Sequence, residues 1–150
     1  MSKRTTDLSR LESMLSGDGY YPFFRVSERL HNMEKVPSSQ LLFHFPNAAV
    51  GGVSMNISTA TAMATIEECL LSTGDWDFGP PAGIHRRPDF CSLVSSVLRE
   101  FENDCKKADS VYEFWLRSGH PAYPVFWGFS LLLVMDGGRR SRVWLGSCSD

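Results

Sequence analysis

The stretch from Tyr123 to Leu145 constrains the fold of this chain most. Tyr123 to Met135 is apolar, aromatic or β-branched at nearly every position, Asp136-Gly137-Gly138 supplies turn chemistry, and Arg139 to Leu145 alternates in character. Together they predict a C-terminal β-hairpin whose first strand, lacking a polar face, is central in its sheet. The second strand is then its neighbour toward the outside, with Arg140, Arg142 and Trp144 on the solvent face of an edge. The apolar run contains Pro124, Gly128 and Ser130 and is shorter than the roughly 20 residues a membrane-spanning helix needs, so no membrane partner is expected.

At 150 residues, a chain that is 43% hydrophobic and 21% charged is expected to form one domain with a sizeable core. The strongest helix signal follows Pro88-Asp89, where Phe90, Leu93, Val94, Val97, Leu98, Phe101 and Cys105 recur on one face. Asp7 to Leu15 predicts a shorter helix capped by Thr6 or Asp7, and Ser58 or Thr59 opens another that reaches about Ser72. Phe23, Val26, Leu30 and Met33 are spaced as a helical stripe, predicting a helix over Phe24 to Glu34, with a strand over Phe23 to Val26 as the alternative. Gln40 to Phe45 and Gly52 to Ile57 predict two strands, and Ser110-Val-Tyr-Glu113 has the spacing of a capping box opening a helix through Arg117. The fold class is therefore α+β: a single domain with an antiparallel sheet of about four strands ending in the hairpin, packed against two or more amphipathic helices.

Fifteen Lys and Arg against seventeen Asp and Glu give a formal charge of -2. That lacks the basic excess used to hold a phosphate backbone, so a nucleic-acid partner is not expected. The N-terminal residues carry no apolar segment of the signal-peptide kind, and a cytoplasmic location with reduced thiols is the corresponding expectation. His31, His44, His85 and His120, with Cys69, Cys91, Cys105 and Cys148, show no metal-ligand spacing, and no glycine loop matches a nucleotide pattern. No metal and no cofactor are expected. Cys148, among small polar residues near the C-terminus, reads as a frayed thiol.

The long stretch from Gly74 to Arg87 has three glycines, two prolines and no periodicity, and loops of this length inside a compact domain are often functional. Asp75, Trp76, Asp77, His85, Arg86 and Arg87 are its candidate binding residues, joined by Arg140, Arg142 and Trp144 of the hairpin. Aromatic and arginine side chains are enriched at protein interfaces. The composition thus favours a non-enzymatic protein-protein interaction module, such as a small inhibitor or immunity-type protein with a protein partner. The alternative is a small hydrolase using Asp75, Asp77, His85 or His120, from the loops at 74–87 and 117–122. That reading requires those polar groups to converge in one pocket.

Overall fold

The computed structural model describes residues 2–17, 19–46, 50–74, 78–116 and 127–149, and the side chains of these except at 50–54, 116, 127 and 149. Among the described residues the order is α1 (Lys3–Leu15), β1 (Tyr21–Leu30), α2 (Pro37–His44), β2 (Val50–Ile57), α3 (Thr59–Leu70), α4 (Pro88–Lys107), β3 (Ser110–Leu116), β4 (Trp127–Met135) and β5 (Arg140–Ser149). Short 3-10 turns occupy Ile84–Arg86 and Asp136–Gly138. All neighbouring strands pair antiparallel in one sheet of order β1-β5-β4-β3-β2, so the fold is α+β with the C-terminal hairpin formed by β4 and β5.

The sheet has two covered faces. On one, α1, α3 and α4 pack their apolar stripes, burying Leu8, Leu11, Ile66, Phe90, Val97 and Phe101 against Phe129, Leu131, Leu133 and Trp144. On the other, the single α2 residue Leu41 joins Phe114, Leu132, Val134, Val143 and Leu145. Local chemistry explains the helix starts. The Ser2 hydroxyl accepts from the Thr5 amide at 3.2 Å and opens α1 earlier than Thr6 would. Pro88 sits at the start of α4, with Asp89 in its first turn and Lys106 and Lys107 in its last, each sign suited to the helix dipole there.

Three expected elements change type. Phe24 to Glu34 is not helical: β1 runs from Tyr21 to Leu30 and pairs residue for residue with β5, from Tyr21 opposite Ser149 to Leu30 opposite Arg140. Ten residues of cross-strand pairing outweigh a coincidental helical spacing. Gln40 to Phe45 is not a strand. Pro37 begins a helix there, and Leu and Gln, without β-branched neighbours, favour it. Ser110 to Leu116 is a strand between β2 and β4, because its aromatic and β-branched residues fit a pleated surface with apolar side chains on both faces. One expected strand is lost and two are gained, which turns about four strands into five.

β4 is central, as its composition predicts, whereas β5 lies between β4 and β1 and is no edge. The part of the predicted strand at 123–126 lies outside the described residues. No helix among the described residues is long and apolar enough to cross a membrane.

Candidate functional site

Because β5 is internal, the Arg140, Arg142 and Trp144 row faces the helices. Trp144 is fully buried, its ring edge-on to Phe101 at 5.1 Å and its Nε1–H donated to Asp104 at 2.9 Å. Asp104, itself buried on α4, also accepts from Arg142 at 2.6 Å and from Arg4 of α1 at 2.8 Å. Arg142 continues to Glu28 of β1 at 2.9 Å, and Arg140 ion-pairs with Glu28 and Asp136. Burial opposes ionisation of Glu28, but the Arg142 hydrogen bond and the charges of Arg142 and Arg140 outweigh it and hold the carboxyl below the usual range. These three residues thus form a network that ties α1, α4, β1 and β5 together, and the expectation of a solvent-facing row is overturned.

Of the other expected site residues, Asp75, Trp76 and Asp77 lie outside the described residues, as does His120. His85 lies in the 3-10 turn with its ring against Phe90 at 5.5 Å. Arg86 is exposed, while Arg87 precedes α4 and clasps Asp89 through two bonds of 3.1 and 2.6 Å.

Polar side chains converge in two other places. Across α3 and β5, the Cys69 and Cys148 sulfurs lie 3.8 Å apart, with the Tyr20 hydroxyl beside Cys148 and Ser72. Cys148 is fully buried in a paired strand, which corrects the reading of a frayed terminal thiol. The hydrogen bond from Cys69 holds the Cys148 thiol below its ordinary range, and the same bond with burial pushes Cys69 well above it.

The second cluster lies under α2. Ser141 Oγ sits 2.8 Å from Nε2 of both His31 and His44, and His44 Nδ1 is 2.9 Å from Ser27 Oγ. With one proton, Ser141 donates to one ring and must accept from the other. His31 Nδ1 is buried without a partner among the described residues, so a proton there would be stranded. The assignment that avoids this runs from His31 Nε2–H to Ser141, from Ser141 to His44, and from His44 Nδ1–H to Ser27. Burial, Arg29 and His31 push the His44 imidazole down to about 4, and burial with Lys35 lowers His31, so both rings are neutral at pH 7. A serine between imidazoles has the parts of an activated nucleophile, yet Ser141 is fully buried. It clamps α2 to the sheet.

The segment that this clamp holds buries two polar side chains and exposes several apolar ones. His31 and Gln40 are buried, and their neighbours bond to the hairpin turn: the His31 amide to Arg139 O at 2.7 Å, the Lys35 amide to Gly138 O at 3.1 Å, and Gln40 Nε2 to Gly138 O at 3.0 Å. Gly138 is required there, since its φ is +93° and a Cβ would stand 2.9 Å from Lys35 O. Beside the buried Leu41, five apolar side chains of the same segment point outward: Leu30 is 77% exposed, Met33 61% and Val36 62%, with Leu42 and Phe43 about half exposed. Phe43 lies against the His31 ring at 5.0 Å and beneath the Lys35 ammonium at 5.6 Å, which draws the two ends of the segment into one surface.

No family model, characterised protein or solved structure matches this chain. The site therefore rests on its own geometry. Sequence reasoning missed it because the spacing of Leu30 and Met33 resembles a buried helical stripe. Pro37 was the available signal, since a helix opened there turns His44 inward and Phe43 outward.

Proposed function

We propose that this chain is a non-enzymatic protein-binding module whose principal contact surface is the segment from Leu30 to Phe43. The reading rests on one observation: in this segment His31 and Gln40 are buried and hydrogen-bonded to β5 and the hairpin turn while Leu30, Met33, Val36, Leu42 and Phe43 face solvent. Scattered exposed apolar residues are ordinary, but a group of them on a segment clamped from beneath by its own polar residues is what an interaction surface requires. Holding the segment rigid also reduces the ordering cost a partner would otherwise meet. The partner this favours is a folded protein, in the manner of a small inhibitor or immunity-type protein, with the exposed Arg86 as a secondary contact.

The experiment is capture by the full chain as bait, with and without Met33→Glu and Val36→Glu together. Both positions are exposed, so thermal stability should stay within about 0.5 kcal/mol. A partner recovered by the wild type and reduced at least tenfold by the double variant is the expected result. Equal recovery by the two baits, or none by either, overturns the reading.

A further inference from the structure

β1 is an edge strand, and its register shows which of its backbone groups face outward. The His31 amide bonds to Arg139 O, so the odd-numbered residues of β1 exchange hydrogen bonds with β5. The even-numbered ones therefore present their N–H and C=O away from the sheet, as the Phe24 amide confirms by bonding instead to Glu12 Oε1 at 2.7 Å. The first half of this edge is closed by the protein itself. Pro22 has no donor, and Phe24 is covered on both sides, because Arg25 Nη1, held by Glu12 at 2.8 Å, donates to Phe24 O at 2.7 Å. The second half is open: the outward groups of Val26, Glu28 and Leu30 have no partner outside the β5 ladder among the described residues, and Ser27 to Leu30 is exposed without a bulge.

We propose that the outer edge of β1 from Val26 to Leu30 receives an extended, acidic-apolar peptide segment of a partner protein as a sixth strand. This rests on the protein-binding reading and specifies its mode. An unpaired row of alternating donors and acceptors is complemented by another extended backbone, which supplies affinity, while pockets for alternate side chains supply selectivity. Such a pocket exists. A crevice of about 250 Å³ between α1 and β1 is lined by Thr5, Leu8, Ser9, Glu12, Phe24, Arg25 and Val26, and its apolar part, Leu8, Phe24 and Val26, would take a side chain placed opposite Val26. Leu30 offers a second apolar position on the same face of the strand. On the opposite face Arg29 is exposed and has no ion-pair partner among the described residues, which selects an acidic residue opposite it.

A second copy of the chain fits poorly. Two-fold pairing that uses all three open residues of both edges sets Arg29 opposite Ser27, so the exposed guanidinium gains no acidic partner. A partner strand with an acidic residue at that position is the better occupant.

The probe is the peptide acetyl-Thr-Val-Asp-Thr-Thr-Val-Thr-amide, titrated into the ¹⁵N-labelled full chain. Antiparallel pairing sets its two Val opposite Leu30 and Val26 and its Asp opposite Arg29. The expected result is perturbation of the Val26, Glu28 and Leu30 amides with at least tenfold slower hydrogen exchange there. N-methylation of the two Val amides of the peptide, or Asp→Lys in it, should weaken binding at least tenfold. In the protein, Glu28→Pro removes the outward donor together with the carboxylate that Arg142 and Arg140 hold, and Glu28→Gln removes the charge alone, so the first should abolish binding and the second leave it intact. Binding elsewhere, binding that survives N-methylation, or self-association through these amides overturns the proposal. Peptide pairing is read separately from partner capture by the Leu30 to Phe43 surface, so its failure leaves the protein-binding reading standing.

Discussion

The sulfurs of Cys69 and Cys148 face one another at 3.8 Å inside the core, one on α3 and one on β5, although 79 positions separate them in the chain. Cys105 is also buried, and burial pushes its thiol up to about 11. Only the Cys91 side chain is exposed.

Thiol chemistry on the native protein should therefore be selective. One equivalent of Ellman's reagent is expected to react rapidly, and Cys91→Ser should remove that phase. The remaining three thiols should appear only with denaturant, because burial denies access to all three and thiolate formation is further suppressed at Cys69 and Cys105. Two or more fast equivalents in the native state would contradict the burial of Cys69, Cys105 and Cys148.

Asp104 is the shared acceptor for Arg4, Arg142 and Trp144. Asp104→Ala should destabilise by about 3–5 kcal/mol, since it strands two guanidinium groups and a buried indole N–H. Asp104→Asn retains an acceptor for Trp144 and should cost less. Denaturant midpoints of the two variants check the order, and equal midpoints would show that the charge contributes nothing beyond the hydrogen bond.

Protonation at His44 should oppose folding. Its folded-state value of about 4 lies below the ordinary 6.5, so between those values the unfolded chain binds a proton the native state does not. Stability at this site is fully present above pH 6.5 and falls as pH drops toward 4, by about 3 kcal/mol at most. His31, shifted down as well, acts in the same direction. Unfolding measured from pH 7.5 to 4 should lose part of its slope in His44→Asn. An unchanged slope would mean that the imidazole is not held neutral by the sheet.

Gly146 is enclosed by rings. Phe24 and Phe129 stack at 6.2 Å, and a Cβ at Gly146 would stand 2.4 Å from one ring and 2.8 Å from the other. Gly146→Ala should destabilise by about 1–3 kcal/mol through forced movement of both rings. A neutral effect on the melting midpoint would show that the two rings can separate freely.

The elements legible in the sequence were those whose signal is long or carries its own boundary. α4 has a stripe over five turns between Pro88 and the Lys pair, α3 has Ser58 as its cap, and the hairpin has Asp136-Gly137-Gly138 between two strands. The misread ones were short. In Phe24 to Leu30, Gln40 to Phe45 and Ser110 to Leu116 the apolar residues are too few to separate a period of two from one of 3.6. Part of the expected binding loop, at Asp75, Trp76 and Asp77, lies outside the described residues, and the hairpin arginines proved internal.

What the amino-acid sequence determined by itself was the fold class, the central place of β4 and the stripe of α4, because backbone propensity, turn geometry and helical amphipathicity are local properties. What only the tertiary structure decided was the rest of the strand order. β1, contributed by residues 21–30, pairs along the outer side of β5 at residues 140–149 and makes β5 an inner strand. That single long-range pairing moved Arg142 and Trp144 from the expected surface into the core, and it left the outward groups of Val26, Glu28 and Leu30 open. Whether a side chain faces water depends on which strand lies beside it, and the energy of that choice is spread over contacts between residues more than a hundred positions apart.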